Sequence, residues 1–319
     1  MTATTCSLAA SMARGINLGN MLEAPVEGDW GPVFDPAWPP LIKAAGFSTV
    51  RLPVRFSNHA SVDASALLDP TFLARVDYVL AQLKAAGLNV VIDMHHYRQL
   101  DGDGLDSGEI AVDPSVVQAR AIAIWTQLGS HFASQPASVM FELYNEPHNI
   151  QDTGASAPWN ALYPKLLAAV RKTNPTRAVL IGPAFWNNAS ALPDFTPPTD
   201  SNVIVTIHNY LPTVFTLQGQ WGQPQPINTP WNGDATAFTG ALDTAKAWSV
   251  AQGKPIFVGE FGSNLAAPLA SRVAWTTMAR TQIEARGFQW AVWNFDSDFG
   301  LYDTSAKAWN AALLKTLFP

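Results

Sequence analysis

The chain has 319 residues, of which 48% are hydrophobic and 14% charged, and its 19 basic and 25 acidic side chains give a formal charge of -6. No basic footprint exists for nucleic acid, an anionic membrane or an acidic polysaccharide. The single cysteine, Cys6, excludes an internal disulfide and a multi-thiolate metal site. No stretch reaches the roughly 18 apolar residues that would span a bilayer, and the start lacks a basic segment leading into a long apolar one, so a soluble chain is expected.

In chain order, short apolar or β-branched runs bounded by Gly, Pro and Asn predict strands at Gly15–Leu18, Thr49–Pro53, Asn89–Met94, Val139–Tyr144, Ala178–Ile181, Val203–His208, Ile256–Glu260 and Gln289–Asn294. Helical periodicity fills the intervals, as at Pro70–Ala86, Pro114–Ala133, Trp159–Thr173, Asp234–Gln252 and Ser271–Arg286, several opening on Pro or a capping side chain. Strands as continuously apolar as LNVVIDM and KPIFVGE suit a parallel sheet covered on both faces. Eight such units predict an α/β fold, a single (β/α)8 barrel over residues 1–319, rather than an open doubly wound sheet. No Gly-rich phosphate fingerprint follows any strand. The longest candidate loop, Leu211 to Gly233, would overhang the active face.

The polar residues carry the chemistry. Asn20, Arg51, His95, His96, Asn145, Glu146, His208, Tyr210, Glu260 and Trp293 fall at or just beyond strand C-terminal ends, which in a barrel converge on one mouth. Glu146 and Glu260 end otherwise apolar strands on opposite sides of that barrel. A buried glutamate is costly unless paired or used. Either one alone could be structural, but two glutamates with an arginine and histidines around them fit glycoside cleavage, which needs one protonated carboxyl and one ionised. Arg51 and the Tyr210 hydroxyl are expected to keep Glu260 ionised. Glu146, farther from a cation, is expected to hold its proton. Asn145 suits a sugar 2-hydroxyl, although alone it reads as a turn residue before Glu-Pro.

In order, RGINLGNMLEAPVEGDWG, STVRLPVRF, NVVIDMHHY, ELYNEP, IHNY, FVGEFG and AVWNF resemble glycoside hydrolase family 5, in particular its bacterial endoglucanases, some of which also act on mannan. The likeness runs from about Arg14 to Asn310. It implies a retaining barrel enzyme without a cofactor, with Glu146 as acid/base and Glu260 as nucleophile. Arg51, His95, Asn145, His208 and Tyr210 are implied as supporting residues and Trp293 as the platform at the cleavage point. Asn20, Glu23 and His96 match positions that contact sugar on the non-reducing side. The chain departs from the family's pattern at Leu217, where the resemblance implies His, and at Asn294, where it implies an acid. Both positions are expected near the sugar path.

Asp93, His95 and His96 could be read as metal ligands, but neighbouring strand residues point to opposite faces, and no metal is expected. The acidic loop with Asp101, Asp103, Asp106 and Glu109 lacks the full EF-hand pattern and is expected to be solvated. No Gly-x-Ser-x-Gly elbow suggests an esterase. Trp186, Trp221 and Trp231 are expected in loops, as sugar platforms or as loop anchors. Trp125, Trp159, Trp248 and Trp275 are expected to pack helices on the barrel wall. The sequence thus predicts a monomeric, secreted endo-β-1,4-glucanase working by double displacement on a β-1,4-linked polysaccharide. A mannanase, or a dual glucanase and mannanase, is the nearest alternative. A non-catalytic carbohydrate-binding barrel would need a broken NEP motif or a missing glutamate, and neither is seen.

Overall fold

The computed structural model describes residues 3–150, 156–220 and 227–319. Eight parallel strands close into a barrel in sequence order: β1 (Arg14–Asn17), β2 (Thr49–Val54), β3 (Asn89–Met94), β4 (Val139–Glu142), β5 (Val179–Ile181), β6 (Val203–His208), β7 (Ile256–Glu260) and β8 (Gln289–Val292). All eight match the predicted runs. β1 sits one residue earlier than expected, while β4 and β8 stop two residues short because the chain turns out to form the mouth. The Thr71 amide donates to the Asp69 side chain and so caps the helix Pro70–Ala85, with Pro70 at its first position. The predicted start at Pro114 is a short 3-10 turn feeding the helix Val117–His131.

Strand alternation sorts the side chains. Val50, Leu52, Val90, Ile92, Phe141, Val258 and Val292 point outward to the helices. Val91, Met140, Leu180, Ile204, Phe257 and Ala291 fill the barrel interior, closed from below by Ala9 and Met12 of the helix Ala3–Met12. Two residues further along the same faces come Asn17, Arg51, Asp93, Glu142 and Thr206, all buried. The apolar plug therefore gives way to a polar layer just beneath the mouth.

The helix tryptophans do more than pack. Trp125 Nε1 donates to the Leu143 carbonyl at 2.8 Å, Trp159 Nε1 to Gly182 at 2.8 Å and Trp275 Nε1 to Leu211 at 3.3 Å. Each indole ties a βα loop to its outer helix, giving a buried N–H the partner it needs.

Candidate active site

Arg51 organises the floor of the site. Its Nε and Nη2 make a bidentate pair with Glu142 at 2.7 and 2.9 Å. Nη1 donates to Glu260 Oε1 at 2.8 Å and to Asn17 Oδ1 at 3.1 Å, while Nη2 also reaches Asn145 Oδ1 at 2.8 Å and Asp93 Oδ2 at 3.0 Å. A rigid planar fork is suited to holding several acceptors at fixed angles. Glu142, the last residue of β4, was not anticipated as a site residue.

Glu260 reaches the mouth through an irregularity. Ile207 pairs with Val258, but His208 pairs with Glu260, so Gly259 is an extra residue in the ladder and the alternation flips there. Without this bulge Glu260 would follow Val258 outward. A Cβ on Gly259 would lie 2.5 Å from Thr206 Oγ1, so the bulge requires glycine. Tyr210 Oη donates to Glu260 Oε2 at 2.8 Å, leaving each Glu260 oxygen with one donor. Burial raises the Glu260 pKa, and His208, Arg51 and the Tyr210 bond act against it.

Glu146 follows β4 with φ 28, in the left-handed region. Its Oε1 lies 2.6 Å from His208 Nδ1, and burial lifts its pKa to about 7 against the pull of Arg51. Burial also pushes His208 down to about 4, so its imidazole is neutral. Asn187 Nδ2 approaches His208 Nε2 at 3.4 Å, which fits Nε2 as acceptor and Nδ1–H as donor to Glu146. One oxygen each from Glu146 and Glu260 lies within 4.8 Å of the other. Glu146 was expected to lie farther from a cation than Glu260; Arg51 bonds Glu260 at 2.8 Å, whereas Arg51 and His148 act on Glu146 through space.

The remaining predicted residues spread around this pair. His95 Nδ1 bonds Asp93 Oδ2 at 2.5 Å, and its ring lies parallel to Trp293 at 6.0 Å. Gly19 leaves room for that indole: a Cβ there would lie 2.3 Å from Trp293 Cη2. His96 sits beyond β3 at φ 54, edge-on to both His95 and Trp30. Trp30, over which the Arg55 guanidinium stacks at 4.6 Å, was not singled out from the sequence. Glu23 is buried and accepts from the Asn20 and Met21 amides, so it shapes the loop that presents Asn20. Trp186 is 53% exposed and stacks on His148 at 4.7 Å. Trp221 lies outside the described residues. Trp231 anchors its loop through Nε1 to the Asp234 carbonyl.

Two expectations change. Asn294 is fully buried: Gly19 N donates to its Oδ1 and its Nδ2 donates to Gly19 O, both at 3.2 Å, so it belongs to the frame rather than the sugar path. The acidic loop is not freely solvated. Arg55 pairs with Asp106 and Glu109 at 2.9 and 2.7 Å, Arg98 bonds Asp106 at 2.9 Å, and Asp101 is buried beneath Tyr144.

Comparison with known proteins gives the arrangement its family. Residues 16–299 match the sequence profile described as Cellulase (glycosyl hydrolase family 5). The chain belongs to glycosyl hydrolase family 5. It is 32% identical over 316 residues to Endoglucanase H of Acetivibrio thermocellus, covering 96% of this chain and 33% of that protein. The chain thus spans about a third of that relative's length. Among solved family 5 structures, Thermotoga maritima endoglucanase Cel5A is 36% identical with a TM-score of 0.88, covering 98% of this chain and 99% of that one. A hyperthermophilic endo-β-1,4-glucanase solved with substrate is 35% identical with a TM-score of 0.91, covering 98% of each.

Among the described residues of this family 5 barrel, two His-carboxylate groups, Glu146/His208/Glu260 and Asp101/Asp103/His148, are close enough to be weighed as metal sites. In each the imidazole already bonds carboxylate oxygen, and the residues read better as hydrogen-bond networks. No helix among the described residues is long and apolar enough to cross a membrane.

Proposed function

We propose that this chain is a retaining endo-β-1,4-glucanase in which Glu260 attacks the anomeric carbon as Glu146 protonates the leaving oxygen, and Glu146 then activates a water that hydrolyses the glycosyl-enzyme, freeing the sugar and Glu260. The observation that carries the reading is the 4.8 Å limit on the approach of their oxygens. Retaining enzymes keep their carboxyls about 5–5.5 Å apart, whereas an inverting pair needs room for water at roughly 6.5 Å or more. The environments differ: Glu260 takes a direct donor on each oxygen, from Arg51 and Tyr210, which favour its anion against the rise that burial imposes, while Glu146, raised to about 7, retains a proton to give.

Asn145, its Oδ1 held by Arg51, presents Nδ2 to a substrate hydroxyl, and Trp293 and Trp186 offer apolar faces for sugar rings. Asn20, Glu23 and His96 belong to the non-reducing side, Glu23 through the loop it braces. Residues 1–319 are read as one catalytic barrel domain, monomeric and exported in its native setting, acting on β-1,4-linked polysaccharide without a cofactor.

A mannan reading has specific support, since Thermotoga maritima Cel5A, 36% identical, has been solved with both cellobiose and mannotriose. Reducing-sugar release from carboxymethyl cellulose, mixed-linkage β-glucan and glucomannan tests both readings. Activity on the glucans that vanishes in Glu146→Ala and Glu260→Gln is expected. Activity confined to glucomannan would move the substrate, and unchanged activity in Glu260→Gln would remove the nucleophile.

A further inference from the structure

Two residues beyond Glu146, His148 has both ring nitrogens facing oxygen acceptors. Nδ1 lies 2.7 Å from the Glu146 backbone carbonyl, and Nε2 lies 3.2 and 3.3 Å from the two carboxylate oxygens of Asp103. A neutral imidazole can donate from only one nitrogen, so this geometry calls for the imidazolium. Asp101 Oδ1 is 3.7 Å from Nδ1 and accepts the His148 backbone N–H at 3.2 Å, while its other oxygen accepts from Tyr144. Trp186 closes over the ring, tilted by 8°.

The link to Glu146 matters because of that residue's backbone. A left-handed φ of 28 is a conformation a glutamate adopts only when its surroundings impose it, at a cost of order 1–3 kcal/mol. The imidazolium bonds the carbonyl of that same residue. We propose that His148 is a positioning residue for the acid/base, a cation braced by Asp101 and Asp103 that pins the Glu146 carbonyl and thereby aims the Glu146 carboxyl at the leaving oxygen. The inference rests on the acid/base reading of Glu146.

The charge has a second consequence. Burial works against protonating His148, and the Asp103 bond, Asp101 and the Glu146 carbonyl overcome it, lifting its pKa to about 9. The other charged or titratable groups around it are Arg98, 4.0 Å from Asp103, and His96, whose own pKa burial holds well below the usual range. Glu146 is faced by Arg51, Glu142, Asp93, Glu260 and neutral His208 as well as His148. Of these, the His148 cation favours the Glu146 anion, so removing it makes Glu146 hold its proton to higher pH.

The test compares His148→Ala and His148→Asn with the parent on aryl cellobiosides of poor and good leaving groups, with kcat/KM profiled against pH. A poor leaving group needs the proton and a dinitrophenolate does not. His148→Ala is expected to lose about ten-fold or more on the poor leaving group while staying near the parent on the good one. The alkaline limb should move to higher pH in both variants, and His148→Asn, whose amide can still donate to the carbonyl, should recover part of the rate. Equal loss on both leaving groups with an unmoved limb would make His148 merely structural and overturn the inference. Nitrogen NMR of the parent at pH 7 should find both ring nitrogens protonated even if a variant fails to fold, and a neutral ring would overturn it too. Glu146→Ala is run alongside: if it shows no leaving-group dependence, the acid/base reading fails, whereas if it does and the His148 variants do not, only the present inference fails.

Discussion

Arg51 Nη1 lies 2.8 Å from Glu260 Oε1 while the same guanidinium grips Glu142 through two nitrogens. One buried cation therefore serves three carboxylates, counting Asp93, whose pKa burial raises to about 7 against the pull of Arg51. Removing it would leave acids buried without their counter-ion, which typically costs about 3–5 kcal/mol. Arg51→Met is thus expected to unfold at clearly lower temperature. Arg51→Lys should fold better, but a point charge cannot fill the fork, so kcat should drop at least about a hundred-fold. Thermal unfolding and steady-state kinetics on β-glucan check both, and a fully active Arg51→Lys would remove the fork from the argument.

Glu146 makes a prediction about pH. As the acid it must be protonated, and burial raises it to about 7, so kcat/KM should fall as pH rises through that value. For stability the sign runs the same way. A carboxyl raised from 4.5 when folded favours folding through its protonated form, fully below 4.5, and that contribution is lost as pH climbs to about 7. Glu146→Gln removes the ionisation, so its Tm relative to the parent should rise between pH 4 and pH 8. A Tm difference that does not change with pH would contradict the raised value.

The barrel was legible because the strands are short apolar runs with polar residues at or just past their ends, and LNVVIDM and KPIFVGE became β3 and β7, which start one and two residues into those runs. Glu146, Glu260 and Tyr210 were legible because they sit at or just beyond the ends of β4, β7 and β6, and Arg51 because it is a charge inside the otherwise apolar β2. Glu142 was not, because the expected run carried on to Tyr144 and put it inside the strand, whereas β4 ends at Glu142 itself; a charge in so apolar a run was nonetheless a signal. Nor was the role of Asn294 visible: whether a polar side chain faces the cleft or bonds a neighbouring loop depends on the Gly19 backbone, 275 positions away. The bulge left only a glycine directly before Glu260, and period-2 alternation alone would have turned that glutamate outward.

Gly259→Ala tests that bulge. The new Cβ would meet Thr206 Oγ1 at 2.5 Å and His208 Nε2 at 3.1 Å, both on β6. Neither strand can move without disturbing the ladder that aims Glu260, and overpacking of this kind costs about 1–3 kcal/mol. A lower Tm and a larger loss in kcat than in substrate affinity are expected. Combining it with Thr206→Ser would not help, since the clashing atom remains, whereas Thr206→Ala should restore part of both. An unaltered Gly259→Ala enzyme would mean the bulge can relax freely.

Asn294→Asp introduces an acid beside Trp293. If the position faced sugar, the change would alter the ratio of glucan to mannan activity. Here Asn294 Nδ2 donates to Gly19 O while Gly19 N donates to Oδ1. Aspartate keeps the acceptor and loses the donor, setting a carboxylate oxygen against a buried carbonyl. Leaving such a group unsatisfied costs about 1–3 kcal/mol. The variant should therefore lose stability with its substrate ratio unchanged, because Asn294 acts through Gly19 on the room left for Trp293 rather than by touching a sugar. A shifted ratio at unchanged Tm would return Asn294 to the sugar path.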